Sequence, residues 1–240
     1  MSSQGRSRGR SRVPTIDVPV YNPLDYPQLA RNLIRELMNQ PPHSLPLSAR
    51  FEGAGVYALF YTGSFSLYQH LATSDLRIPI YVGKAVPGGA RKGKTKTPPS
   101  KSPLYNRIGE HVRSIKDATS TLSIQDFLCR YLVVEPLWIT LAERFLIEDF
   151  QPLWNVGLEG FGDHPPGRGR HAGEIPWWDA LHPGRSWAKK LQQTRDESAA
   201  RKHVEDFLEL QRTRPKELAR IIEQRLAEEG LDDISEVENE

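Results

Sequence analysis

Six side chains in the middle of the 240-residue chain have the types that hydrolysis of a phosphodiester requires. This reaction needs a base that activates water, charge that neutralises the transition state, and help for the departing oxygen. Phenols and an imidazole can transfer protons, a guanidinium can bind a phosphate oxygen, and a carboxylate can hold a metal ion. In chain order the six are Tyr57, Tyr81, Arg107, His111, Glu143 and Asn155. Their types predict metal-assisted cleavage of a nucleic acid.

The two tyrosines lie in short apolar runs that favour β-strands. Gly55–Tyr61 and residues 78–83 are rich in β-branched and aromatic residues. Alternation along the first strand places Tyr57 on the same face as Leu59, where its phenol can stand beside that of Tyr81. The alternative is that both tyrosines only contribute packing area.

A helix is predicted to carry Arg107 and His111. Ser102 and Pro103 are typical of a helix start. The apolar residues that follow at helical spacing are Leu104, Ile108, Val112 and Ile115. Because Arg107 and His111 are four residues apart, they share one helix face and can overhang the sheet. The alternative is a solvated helix flank.

The carboxylate and the amide come last. A strand predicted over 129–134 leads to a helix that Pro152 must end. Thr140 and Glu143 fit a capping box, which places Glu143 near the start of this helix, where capping alone would explain it. Asn155 is expected in the exit loop, where a bond to its own backbone is the alternative to a role in a site.

In this order the residues resemble the GIY-YIG nuclease superfamily. Its pattern is G-[IV]-Y, then Y-[IV]-G, a helix with Arg and His or Tyr, a helix with Glu, and finally Asn. The two tripeptides are Gly55-Val56-Tyr57 and Tyr81-Val82-Gly83, and the resemblance covers about residues 50 to 157. Valine replaces the more common isoleucine, and the stretch between the tyrosines is longer than in compact members. The resemblance implies an α/β fold of the α+β type, with a small three-stranded antiparallel sheet flanked by helices.

Within the superfamily, the length, the enlarged loops and the helix around 107–113 are most similar to a type II restriction endonuclease branch that cuts CCGCGG. The resemblance implies a homodimer acting on double-stranded DNA, paired with a cognate DNA methyltransferase. It implies one Mg²⁺ per site, with Mn²⁺ as a substitute, and no covalent intermediate. It also makes Tyr57 the general base, Arg107 a phosphate ligand and Glu143 the metal ligand.

A phenol is a poor base at neutral pH, so the pKa of Tyr57 is predicted to fall from its usual value of about 10. A fall of about 3 corresponds to about 4 kcal/mol, which one cation at about 4 Å supplies at an effective dielectric near 20. Lys84 and Arg107 are the available cations, although Lys84 is equally a phosphate contact. His111 is positioned to accept the phenol proton.

Positive charge is concentrated beside the predicted site, although the formal net charge is only +2. Residues 84–116 contain nine lysines and arginines and one acid, Glu110, a patch suited to a DNA backbone. Arginine can also donate two hydrogen bonds to guanine. The predicted DNA contacts are Lys92, Lys94, Lys96, Lys101 and Arg113 in this patch, and Arg168, Arg170 and Arg185 after it. For the tip of the patch, residues 92–99, the alternative is a solvated flexible loop. For the later arginines it is a generic phosphate contact or an exposed loop.

Composition predicts one domain with polar appendages, since 38% of residues are hydrophobic and 26% are charged. The expected segments are a disordered basic arm (1–14), one endonuclease domain (15–227) with a core (50–157) and an extension (158–227), and an acidic tail (228–240). Leu29, Leu33 and Leu37 mark a helix that packs on the core or forms a dimer contact. The carboxyl-terminal helices have the same two alternatives.

Other functions are less well supported. The spacing from Gly88 to Thr95 matches a phosphate-binding loop, but the helix that must follow is missing. Cys129 is the single cysteine, so a zinc site of thiolates is excluded. No apolar run is long enough to cross a membrane, and a prokaryotic cytoplasm is expected. The rival functions are a GIY-YIG nuclease of repair or mobile elements, and a DNA-binding protein whose nuclease has decayed. The retained Tyr57, Arg107 and Glu143 argue against decay.

Overall fold

The computed structural model describes residues 24–87, 100–163 and 173–238, with side chains up to residue 228. The helices are α1 (Tyr26–Asn39), α2 (Pro103–Asp117), α3 (Pro136–Phe150), α4 (Trp177–Leu181), α5 (Glu197–Thr213) and α6 (Pro215–Glu238). The strands are β1 (His43–Ser44), β2 (Gly55–Tyr61), β3 (Tyr81–Ala85) and β4 (Phe127–Val133). Short turns of 3₁₀-helix and one π-helical turn (Leu153–Gly157) connect them.

All strand pairs are antiparallel, and the strand order is β1-β4-β2-β3. The predicted small antiparallel sheet flanked by helices is confirmed, but it has a fourth strand. This strand, β1, pairs His43 with Cys129 and Ser44 with Leu128. A strand of two residues is too short to show alternation, so no sequence pattern predicts it.

Helices cover both faces of β2, and every residue of this strand is buried. Tyr57, Leu59 and Tyr61 pack in one hydrophobic cluster with the apolar face of α2. The intervening residues of the strand pack in a second cluster with α1 and α3. Leu37 of α1 is completely buried there, so α1 packs on the core, which was one of its two alternatives.

Helix α3 begins earlier than predicted, at Pro136. Proline is well suited to the first helical turn because its missing N–H would have no partner there. Glu143 therefore lies two turns inside the helix, and the capping-box interpretation is wrong. In this position its carboxylate is available to face the neighbouring β3.

The carboxyl-terminal helices pack on the core. Trp178 of α4, Val204 of α5 and Ile222 of α6 are buried in the same cluster as Tyr57. Helix α6 extends through Glu238, so most of the predicted acidic tail continues a helix. The predicted basic arm lies outside the described residues. No helix among those described is long and apolar enough to span a membrane.

Candidate active site

The predicted residues meet around the edge strand β3. Tyr57 lies directly across from Gly83 in the sheet register. A β-carbon added at Gly83 would lie only 2.7 Å from Cζ of Tyr57. The second glycine of the two tripeptide motifs is therefore required by close packing, because only hydrogen leaves room for the Tyr57 ring.

Tyr57 and His111 form a buried hydrogen-bonded pair. The Tyr57 hydroxyl contacts Nε2 of His111, and both side chains are almost fully buried. The rings of Tyr57 and Tyr81 have centroids 6.2 Å apart, and that of Tyr81 lies 5.0 Å from His111. Helix α2 thus turns its histidine onto the sheet, and the solvated-flank alternative is wrong for His111.

The pKa of Tyr57 shifts in the direction opposite to that predicted. Burial raises the pKa well above its ordinary value of 10, and the nearby Tyr81 and Glu143 raise it further. Arg107 lowers it, but not enough to offset the loss of solvent. Burial and Glu143 likewise raise the pKa of Tyr81 to about 12. Both phenols are therefore neutral at pH 7.

Arg107 is held in place beside the two tyrosines. Its Nη1 donates to Oε2 of Glu110 at 2.8 Å, and its Nη2 donates to the carbonyl oxygen of Gly162 at 2.9 Å. The guanidinium is thus oriented by α2 on one side and by the segment after Asn155 on the other. Such a fork of donors suits a phosphate oxygen.

Lys84 does not face Tyr57. It lies opposite Val56 in the register, on the α3 side of the sheet, and its Nζ is 2.9 Å from Oε2 of Glu143. Side chains alternate between the two faces of the sheet along β3, and Tyr81 lies on the α2 face. Lys84, three positions later, therefore lies on the opposite face. Lys84 therefore neutralises Glu143 rather than tuning the Tyr57 phenol.

Asn155 fixes the edge of the sheet. Its Oδ1 accepts a hydrogen bond from the Val82 N–H at 2.9 Å, and its Nδ2 donates to the Val82 carbonyl at 3.0 Å. The alternative, a bond to its own backbone, is wrong. The Asn155 amide thus makes the two hydrogen bonds that a neighbouring strand would make with Val82, and it fixes the backbone of β3 between Tyr81 and Lys84.

A cavity of about 580 Å³ opens at this point. Of the predicted site residues, Tyr81, Lys84, Glu143 and Asn155 line it. Its remaining charged residues were missed from the sequence and are Arg144, Glu159, Asp163 and Arg225. Arg225 belongs to α6 and pairs with Glu159 at 2.5 Å. Helical periodicity alone could not reveal which face of α6 meets the cavity.

A family model described as the Eco29kI GIY-YIG domain matches residues 49–208. The chain belongs to this family. The match contains all six predicted residues and extends beyond the predicted core into α5. No curated protein matches the chain. A GIY-YIG restriction endonuclease domain makes the protein a nuclease, and DNA binding accompanies that function.

The residues of this GIY-YIG site fit a hard divalent cation. No group of three or more His, Cys, Asp or Glu that could hold a metal ion occurs in the described part of the chain. Mg²⁺ does not need one, because it binds through one or two carboxylates and completes its shell with water and phosphate. Glu143 faces the cavity and supplies such a carboxylate.

The predicted DNA contacts are only partly described. Lys101 and Arg113 are exposed on the surface, whereas Lys92, Lys94, Lys96, Arg168 and Arg170 lie outside the described residues. Arg185 is placed differently from the prediction. Its side chain is 3% exposed and pairs with Asp179, so it has no access to DNA bases in this arrangement. Trp178, seven residues before Arg185, is completely buried in the core.

Proposed function

We propose that the protein is a type II restriction endonuclease that cuts double-stranded DNA at a GC-rich palindrome, CCGCGG. The observation that carries the proposal is the convergence of the six predicted residues on β3 within a domain of the Eco29kI family. Eco29kI itself is a restriction endonuclease that cuts CCGCGG. A palindromic site suits a two-fold symmetric homodimer. A methyltransferase partner would protect host DNA.

In the proposed mechanism, Tyr57 acts as a neutral proton relay. Its oxygen accepts a proton from the attacking water while its own proton passes to Nε2 of His111. This exchange avoids a free phenolate, which burial disfavours. The Tyr57–His111 hydrogen bond supports the relay because donor and acceptor are already in contact.

Arg107 binds a non-bridging phosphate oxygen and stabilises the charge of the transition state. Glu143 would hold Mg²⁺, with Mn²⁺ as a substitute. When bound, the ion supplies Lewis-acid stabilisation of the phosphate and the leaving 3′ oxygen. The Lys84–Glu143 pair is partly exposed, with 31% and 20% of the side chains accessible. Both side chains also line the cavity, so Lys84 can exchange Glu143 for a DNA phosphate there.

The deciding experiment is cleavage of unmethylated plasmid DNA with one CCGCGG site, in Mg²⁺, Mn²⁺ or EDTA. Metal-dependent cleavage at the site is expected, with at least a 100-fold loss in Tyr57→Phe and Glu143→Ala. Tyr131→Phe and Asp149→Ala are matched controls, since Tyr131 neighbours Tyr57 in the sheet and Asp149 is exposed on the helix of Glu143. Both should cleave normally.

The alternatives give different results. Discrete cleavage at another sequence would keep the nuclease chemistry and discard the target. Cleavage with little sequence preference would favour a repair or mobile-element nuclease. Tight DNA binding without cleavage of any substrate would indicate a decayed nuclease.

A further inference from the structure

A buried ion pair behind the active site has no part in the chemistry proposed above. Arg185 binds Asp179 in a bidentate arrangement, with Nε 2.7 Å from Oδ1 and Nη2 in contact with Oδ2. The two side chains are only 3% and 2% exposed. The guanidinium also lies over the rings of Trp178 and Trp187, at 4.8 and 4.7 Å from their centroids. These contacts hold Arg185 in a single orientation.

The other donors of Arg185 bind the backbone of one short segment, residues 160–163, named here the 160–163 loop. Its Nη2 donates to the Gly160 carbonyl at 2.7 Å, and its Nη1 donates to the carbonyls of Phe161 and Asp163 at 3.2 and 3.4 Å. Of the four carbonyl oxygens in this loop, three therefore accept hydrogen bonds from one guanidinium.

The fourth carbonyl, that of Gly162, accepts the hydrogen bond from Nη2 of Arg107. The same loop touches two further site residues. The Phe161 ring stacks on His111 with centroids 4.5 Å apart, and it meets Tyr81 edge-on at 4.9 Å. Gly162 packs so closely that a β-carbon there would lie 2.7 Å from the Tyr81 hydroxyl. The 160–163 loop thus contacts three residues of the site, Arg107, His111 and Tyr81.

We propose that Asp179 and Arg185 are positioning residues for DNA cleavage, acting through the 160–163 loop on Arg107 and His111. The inference rests on the proposed function. A buried ion pair is by itself weak evidence for stability, since apolar residues of similar volume often replace one without loss, but this pair has further partners. An apolar pair could not satisfy three loop carbonyls, whereas the Arg185 fork does.

The first test is single-turnover cleavage by the variants Arg185→Lys and Asp179→Asn. Urea unfolding first establishes a temperature at which each variant is folded, and cleavage is measured at that temperature. Lysine keeps the charge but loses the fork, and asparagine keeps the shape but loses the charge. The cleavage rate should fall 10- to 100-fold, while DNA affinity in EDTA changes by less than threefold. Leu37→Ala, a core truncation on the opposite face of the sheet, should leave the rate of the folded enzyme unchanged.

A double-mutant cycle separates positioning from general damage. In an Arg107→Ala background, adding Arg185→Lys should reduce the rate by a smaller factor than in the wild-type background, because one of the two residues through which it acts has gone. Fully additive losses would overturn the inference. So would a wild-type rate in Arg185→Lys.

A readout that needs no cleavage keeps the inference separate from the proposed function. In the NMR spectrum of the free protein, the guanidinium N–H signals of Arg107 should shift and exchange faster with water in Arg185→Lys. If that variant does not fold, Gly162→Ala should produce the same change by displacing the loop from Tyr81. Gly173→Ala is its control, since a β-carbon there meets nothing closer than 3.9 Å. Unchanged Arg107 signals in the folded variants would overturn the inference, even if the wild-type protein cuts no DNA.

Discussion

The chemistry of individual residues in this site is governed by burial more than by neighbouring charges. Tyr57 lies close enough to Arg107 for the cation to lower its pKa, yet loss of solvent has the larger effect and keeps the phenol neutral. Because the phenol is neutral, its action as a base depends on the group that accepts the hydroxyl proton. His111 occupies that position, so the proposed base can take up a proton only as it gives one away. The identity and placement of His111 therefore matter as much as those of Tyr57.

This dependence can be tested with Gly83→Ala, which alters no chemical group of the site. The added methyl would lie 2.7 Å from Cζ of Tyr57, so the ring must shift and its contact with His111 is disturbed. We expect the cleavage rate to fall at least 100-fold, with a loss of about 1–3 kcal/mol in the free energy of unfolding from overpacking. Single-turnover kinetics and urea unfolding measure the two effects. A folded Gly83→Ala protein with wild-type cleavage would contradict the required contact, whereas Gly173→Ala should behave as wild type.

At the scale of elements, the sequence correctly predicted the features that depend on the regular repeat of a strand or a helix. Alternation in β2 and the 3.6-residue repeat in α2 correctly assigned Tyr57 and His111 to facing surfaces. The start of α3 was misplaced because Thr140 and Glu143 satisfy a capping pattern inside a helix that Pro136 has already begun. Arg185 was misjudged for a different reason. Its partner Asp179 and the loop carbonyls meet it only through tertiary contacts, which no local pattern reports.

The clamp between Asn155 and β3 yields a prediction at the same scale. In Asn155→Asp, the carboxylate can still accept from the Val82 N–H but can no longer donate to the Val82 carbonyl. We expect a loss of about 1–3 kcal/mol in the free energy of unfolding and at least a tenfold slower cleavage, because Tyr81 and Lys84 flank Val82. Calorimetry and single-turnover kinetics provide the measurements. Asn32→Asp, on the exposed surface of α1, is the control and should stay within about 0.5 kcal/mol of wild type. Equal effects in both variants would rule out a specific clamp.

At the scale of the whole molecule, the extension predicted after residue 157 packs on the core, which was one of the two alternatives for its helices. Phe161, Trp178 and Val204 share one hydrophobic cluster with Tyr57 and the residues of α2. A hydrogen-bonded chain crosses the same boundary, since Trp154 donates from Nε1 to the Tyr68 hydroxyl and that hydroxyl contacts Nε2 of His182. The segment that looks like an addition in the sequence therefore completes the core. The family match, which continues to residue 208, covers most of this segment.

His182 makes the stability of this shared core depend on pH. It is completely buried, its Nδ1 contacts the Thr121 hydroxyl at 2.8 Å, and burial together with Arg201 lowers its pKa from 6.5 to about 3. Above pH 6.5 the imidazole is neutral in both the folded and the unfolded chain, so its contribution to stability is fully present. As the pH falls from 6.5 towards 3, the His182 imidazole is protonated in the unfolded chain but stays neutral in the folded one. The free energy of unfolding should therefore drop by up to about 1.4 kcal/mol per pH unit over this window.

Urea unfolding at pH 7 and pH 5 measures this effect, for which we expect a loss of about 2 kcal/mol from His182 in the wild-type protein. In His182→Gln the overall stability should be lower at both pH values, because the contacts with Tyr68 and Thr121 are altered. The difference between the two pH values should nevertheless shrink by about 2 kcal/mol, since no imidazole remains to titrate. His43→Gln, at the half-buried edge strand, should keep the wild-type difference. An unchanged difference in His182→Gln would assign the acid sensitivity to other groups, such as His70 and His203, whose pKa values are also lowered by burial.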